Sequence, residues 1–111
     1  MAGISTHVLD LMSGKPIAGV EIELFDISTN PPTLLNRLKS NQDGRTDKPM
    51  LAPKDARTGE FQLRFSLSDH FNGSSFLPDI VPVQFTVFDA AQHYHVPLLC
   101  SPWCYSTYRG S

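Results

Sequence analysis

Apolar residues recur at every second position through most of this chain. Val20-Glu21-Ile22-Glu23-Leu24 alternates aliphatic with acidic side chains. Phe61-Gln62-Leu63-Arg64-Phe65-Ser66-Leu67 does the same with polar residues between, and Val81-Pro82-Val83-Gln84-Phe85-Thr86-Val87 repeats the arrangement. Successive side chains of a strand point to opposite faces. Each run therefore offers one face to a core and the other to solvent or an interface. Pro82 has no N–H to give to a ladder, so its strand begins there or runs along a sheet edge.

Turn residues cut the rest of the chain into short strands. Ser13-Gly14-Lys15-Pro16 separates a strand over Ile4–Leu11 from one over Ile17–Asp26. Thr29-Asn30-Pro31-Pro32 precedes a strand near Leu34–Ser40, and Asp43-Gly44 turns the chain into a polar stretch reaching Lys54-Asp55. Further strands are predicted over Ile80–Phe88, Tyr94–Leu99 and Tyr105–Tyr108. One helix is predicted: Ser66-Leu67-Ser68-Asp69 fits a capping box, and Asn72-Gly73 closes the helix after a turn or two. Roughly seven or eight strands in 111 residues, with one short helix, predict an all-β sandwich of two sheets. That length suits one domain with one core.

Composition excludes several classes of function. Hydrophobic content of 41% and charged content of 18% are ordinary for a folded soluble domain and argue against disorder. A net charge of −2, with nine scattered Lys and Arg residues, makes no basic patch, so nucleic acid is not an expected partner. No apolar run approaches the roughly 18–20 residues that cross a membrane. Met1-Ala2-Gly3-Ile4-Ser5-Thr6-His7 lacks the basic region and apolar stretch of a signal peptide, so a cytoplasmic location is expected, with a peroxisomal or a processed periplasmic form as the alternatives. Cys100 and Cys104 form a lone C-x-x-x-C pair across Ser101-Pro102. This reads as two reduced thiols in a reducing compartment rather than a disulfide or zinc site.

The groups able to do chemistry lie near the two ends and at one central turn. In the last predicted strands His93, His95, Pro97 and Leu99 share one face, while Tyr94, Val96 and Leu98 share the other. The histidine face either packs in the sandwich or meets another subunit. His7 lies with Ser5 and Leu9 opposite Ile4 and Val8, and a lone strand histidine is more often structural than functional. Arg45 follows the Asp43-Gly44 turn and on its own reads first as a solvated loop cation. Arg109 can simply pair with an acidic neighbour, and Tyr108 can serve as a core or interface aromatic. Metal binding by His7, His93 and His95 is open, although two histidines two apart on a strand are not selective for it. No nucleophile elbow, Walker loop, dinucleotide fingerprint or catalytic carboxylate pair is evident. The tail Tyr108-Arg109-Gly110-Ser111 sets aromatic, cationic and hydroxyl groups beside a carboxylate. Chain ends are normally frayed and chemically plain, so this one is expected to take part in a site.

Three segments together resemble the transthyretin-related 5-hydroxyisourate hydrolase family of urate catabolism. They are Ser5-Thr6-His7-Val8-Leu9-Asp10, Asn41-Gln42-Asp43-Gly44-Arg45-Thr46, and His93–Ser111 with its Tyr-Arg-Gly-Ser ending. The resemblance runs from the first strand to the last residue, and the ending is its most specific part. It implies a transthyretin-like β-sandwich of two four-stranded sheets with one short α-helix. It also implies a homotetramer, a dimer of dimers, with sites in clefts at the dimer–dimer interface. The implied catalytic residues are His7, His95, Arg45 and Ser111, and the implied substrate-binding residues are His7, Arg45, Tyr108, Arg109 and Ser111. His93 is left as a neighbour. The implied reaction opens the N1–C6 amide of 5-hydroxyisourate, a small purine-derived substrate, to give 2-oxo-4-hydroxy-4-carboxy-5-ureidoimidazoline. Neither a metal nor an organic cofactor is implied. Transthyretin, a thyroid-hormone carrier, is the binding-protein alternative, but it lacks the Tyr-Arg-Gly-Ser ending and the His/Arg set. The chain departs from the family at Cys100 and Cys104, where leucine and a small residue are commoner.

Overall fold

The computed structural model describes residues 2–67, 70–71 and 75–110. Among the described residues there are seven strands: β1 (Gly3–Asp10), β2 (Glu21–Asp26), β3 (Thr33–Lys39), β4 (Gly59–Ser66), β5 (Ile80–Val87), β6 (His93–Cys100) and β7 (Tyr105–Thr107). β2 and β4 alternate buried and open positions as their sequences predict, whereas β3 and β7 bury none. They form a three-stranded sheet in the order β1-β6-β7 and a four-stranded sheet in the order β3-β2-β4-β5. β1 and β6 run parallel, whereas the other pairs are antiparallel. Pro82 sits on β5, which is the edge of its sheet, where its missing N–H costs no ladder bond.

The inward faces close one core. Ile4 and Val8 of β1, Ile22 and Leu24 of β2, Phe61, Leu63 and Phe65 of β4, and Leu98 of β6 have essentially no exposure. Burial of each such side chain contributes about 1.5–3 kcal/mol, the largest favourable term in a fold of this size. Asp26 faces inward at the end of β2 and is satisfied there. Its carboxylate accepts from Arg57 at 2.8 Å and from the Ser28 N–H at 2.9 Å, which hold it below the usual carboxylate range despite burial.

Two expectations need correction. The sheet containing β1 has three strands among the described residues, not four. On the free flank of β1 the fourth strand is reduced to two isolated pairings, Ile4 with Leu51 and Leu9 with Pro16. Proline explains the failure: Pro16 cannot donate to a ladder, and Pro49 and Pro53 bracket Leu51 closely. The strand expected over Ile17–Asp26 is likewise shorter. Residues Ile17 and Val20 are buried but tied by Ser40, whose hydroxyl donates to the Ile17 carbonyl at 2.8 Å and accepts from the Val20 N–H at 2.9 Å. As for the helix, Ser68, Asp69, Asn72 and Gly73 lie outside the described residues, and so does Ser111. Among the described residues the helical element is a single 3-10 turn at Pro53–Asp55. None there is long and apolar enough to cross a membrane.

Candidate active site

Parallel pairing of β1 with β6 places Ser5 opposite His95 and His7 opposite Pro97. Because Ile4, Thr6 and Val8 point into the core, Ser5 and His7 stand on the outer face of the sheet. His93 and His95 share that face, while Tyr94, Val96 and Leu98 point inward. The predicted division of faces therefore holds on both strands.

Arg45 reaches this face through a tight turn. The Asn41 side chain accepts from the N–H groups of Asp43 and Arg45, at 2.9 and 3.2 Å, and the Gly44 N–H donates to the Asn41 carbonyl at 2.9 Å. The turn then docks on β1, where the Val8 N–H donates to the Gly44 carbonyl at 2.8 Å. His7 Nε2 donates to the Asp43 carbonyl at 2.8 Å, fixing its ring. Only glycine fits at position 44: its φ is +73°, and a Cβ there would lie 2.5 Å from the Val8 carbonyl oxygen and 2.9 Å from Pro16 Cβ. Arg45, Ser5, Thr6 and the segment Thr46–Pro49 line an open recess of about 220 Å3.

His95 is half-buried at the centre of this group. Burial of its ring, and then the charges of Arg45, His7 and His93, hold its pKa below the usual histidine value. The imidazole thus stays neutral, and basic, further into the acid range. Its Nδ1 lies 2.8 Å from Ser5 Oγ, which also lies 2.7 Å from His93 Nε2.

The tail runs back along β6 beyond β7. Thr107 Oγ1 donates to the Pro97 carbonyl at 2.8 Å, and the Gly110 N–H donates to the His95 carbonyl at 2.7 Å. Arg109 pins this path by donating to Gln92 Oε1 at 2.9 Å and to the His93 carbonyl at 3.2 Å. Its guanidinium lies 4.2 Å from the centre of the Tyr94 ring.

The structure therefore brings together His7, Arg45 and His95, with Gly110 against the His95 ring. Tyr108 and Arg109 it places elsewhere. They line a separate cavity of about 300 Å3 with Val83, Phe85, Phe88 and Tyr94, and none of His7, His93 and His95 is among its lining residues. Arg109 is bound up in holding the tail. Sequence reasoning passed over Ser5, which it had placed beside His7 without a role. The missing signal was the register that sets Ser5 against two histidines 88 and 90 positions away.

A model of the HIUase/Transthyretin family matches residues 4–110 of this chain. The chain belongs to that family. It is 44% identical over 115 residues to a 5-hydroxyisourate hydrolase of Deinococcus radiodurans, covering 98% of this chain and 96% of the relative. Its fold matches the 5-hydroxyisourate hydrolase of Klebsiella pneumoniae with a TM-score of 0.80 at 28% identity, covering 100% of this chain and 94% of that one. An (S)-allantoin synthase structure matches with a TM-score of 0.89 at 34% identity over 99% of this chain, which spans only 44% of that longer protein.

Proposed function

We propose that this chain hydrolyses 5-hydroxyisourate by opening its N1–C6 amide. One observation carries the reading. Arg45, far from both histidines in sequence, is brought by the Asn41 turn to the outer face of the strand pair that bears His7 and His95. Full-length similarity to 5-hydroxyisourate hydrolases supports the same substrate.

Amide hydrolysis needs a base for water, a charge to meet the oxyanion, and a proton for the leaving nitrogen. Histidine suits proton transfer near neutral pH, and a positioned one contributes about 10²–10⁴-fold. In our reading His95 and His7 flank the water and the leaving nitrogen. Water gives a proton to one imidazole as its oxygen attacks C6. The Arg45 guanidinium meets the developing oxyanion with a planar pair of donors that an ammonium cannot reproduce. Collapse then breaks the C6–N1 bond, N1 takes a proton from a histidine, and the carboxylate product leaves. Arg109 holds the tail rather than the substrate, Tyr108 supports it, and Ser111, next after Gly110, orients the water or a histidine.

The outer face is open in the single chain, and Leu9 and Leu99 flank the histidines on it, half-buried. We infer a homotetramer, a dimer of dimers, that closes this face into a cleft. Cys100 and Cys104 are both free thiols, which fits a reducing cytoplasm. The test is direct. 5-Hydroxyisourate made in situ from urate should decay faster with this protein than with uricase alone, whereas a hormone-carrier reading predicts no acceleration.

A further inference from the structure

Ser5 bridges the two histidines of β6, and its partners fix the direction of every proton in the bridge. His93 Nδ1 lies 3.3 Å from the Ala2 carbonyl oxygen. A carbonyl oxygen only accepts, so His93 Nδ1 carries the proton of that bond. In neutral His93, Nε2 then has a lone pair and must accept from the Ser5 hydroxyl 2.7 Å away. Ser5 has a single proton. Having given it to His93, its oxygen can only accept from His95 Nδ1, 2.8 Å away on the other side.

We infer that Ser5 and His93 are positioning residues that hold neutral His95 in its Nδ1–H form, leaving Nε2 as its one basic nitrogen and making His95 the base that activates water. This deepens the proposed function and rests on it. On this assignment His95 takes the proton from water, and His7, whose Nε2–H is given to the Asp43 carbonyl, is left with Nδ1 as its remaining ring nitrogen. The chain of donors runs one way: His95 Nδ1–H to Ser5 Oγ, Ser5 Oγ–H to His93 Nε2, and His93 Nδ1–H to the Ala2 carbonyl. A second proton on His93 would reverse it. Nε2 would then donate to Ser5, Ser5 would donate to His95 Nδ1, and the His95 proton would move to Nε2, removing the base. The charged or titratable groups that face His95 are His93 on its own strand, His7 on β1 and Arg45 on the turn. Among the described residues none of them is a carboxylate, and the neutral Ser5 hydroxyl takes the place at His95 Nδ1 that an aspartate takes in serine-protease triads. Both ring nitrogens of His93 are occupied by these bonds, so it acts through Ser5 rather than on substrate.

Long-range 1H–15N correlation spectra of histidine-labelled protein read the tautomer without any substrate. Wild type should show His95 as the Nδ1–H form near neutral pH. Ser5→Ala should lose that preference and lower kcat by about 10-fold, the upper end of what one neutral hydrogen bond supplies, with KM unchanged. Ser5→Thr, which keeps the hydroxyl, should restore both. A wild-type His95 carrying its proton on Nε2 would overturn the inference, as would Ser5→Ala with the wild-type tautomer and kcat. Should wild type fail to accelerate hydroxyisourate decay, the proposed substrate falls, yet the tautomer spectrum still decides whether the relay exists.

Discussion

Gly110 is where a small change should do the most damage to catalysis and the least to folding. A Cβ added there would lie 2.6 Å from His95 Cδ2, 3.2 Å from Cγ and 3.3 Å from the His95 Cβ. Ordinary contact begins at 3.4 Å, so the ring and the tail must separate by about 0.8 Å. The tail is not free to retreat. Its N–H is bound to the His95 carbonyl at 2.7 Å, and Arg109 is anchored one residue earlier. The imidazole must tilt, or the tail must lift away with whatever it positions. A displacement near 1 Å in a catalytic group costs on the order of 100-fold in rate. Gly110→Ala should therefore lose about 100-fold in kcat. Because the residue lies outside the core, thermal unfolding should shift by no more than about 4 °C, corresponding to less than about 1 kcal/mol. Gly14→Ala is the matched control. At a φ of +74° with nothing within 4 Å, it strains the backbone alone, so it should cost about 1 kcal/mol of stability and leave kcat intact. Should Gly110→Ala keep activity within about twofold of wild type, contact between the tail and His95 would have no bearing on turnover.

Arg45→Lys keeps the charge but loses the planar fork, so kcat/KM should fall by about 10-fold or more, and unchanged kinetics would return Arg45 to an ordinary loop cation. The lowered His95 pKa places the acid limb of kcat/KM below the usual histidine value near 6.5. The sign follows from the causes: burial and neighbouring cations disfavour the imidazolium, so Arg45→Gln removes one such cation and the His95 titration followed by NMR should move upward.

Much of this molecule was legible because strands carry a period of two. The inward set on β4, Phe61, Leu63 and Phe65, and the histidine face of β6 are visible in the residue order alone. Gly44 was legible as a turn, though its tight fit against Val8 and Pro16 was not. Pairing between strands is what local sequence cannot supply. β1 and β6 lie at opposite ends of the chain, and nothing local sets Ser5 against His95 rather than one residue away, which would turn it to the other face. For the same reason Tyr108 and Arg109, the two residues before Gly110, turned out to line the other cavity. The fourth strand beside β1 was implied by the family resemblance alone, and among the described residues Pro16, Pro49 and Pro53 leave it as two isolated pairings.

The central claim is that His95 drives the opening of 5-hydroxyisourate, and comparing wild type with His95→Asn tests it most directly. Substrate would be generated from urate by uricase, and its ultraviolet decay followed with each protein and with uricase alone. His95 is only half-buried on an outer face, so the variant should fold and assemble as wild type does. The account predicts rapid decay with wild type and a loss of about 10²–10⁴-fold in the variant. Equal acceleration by a folded His95→Asn protein would contradict it.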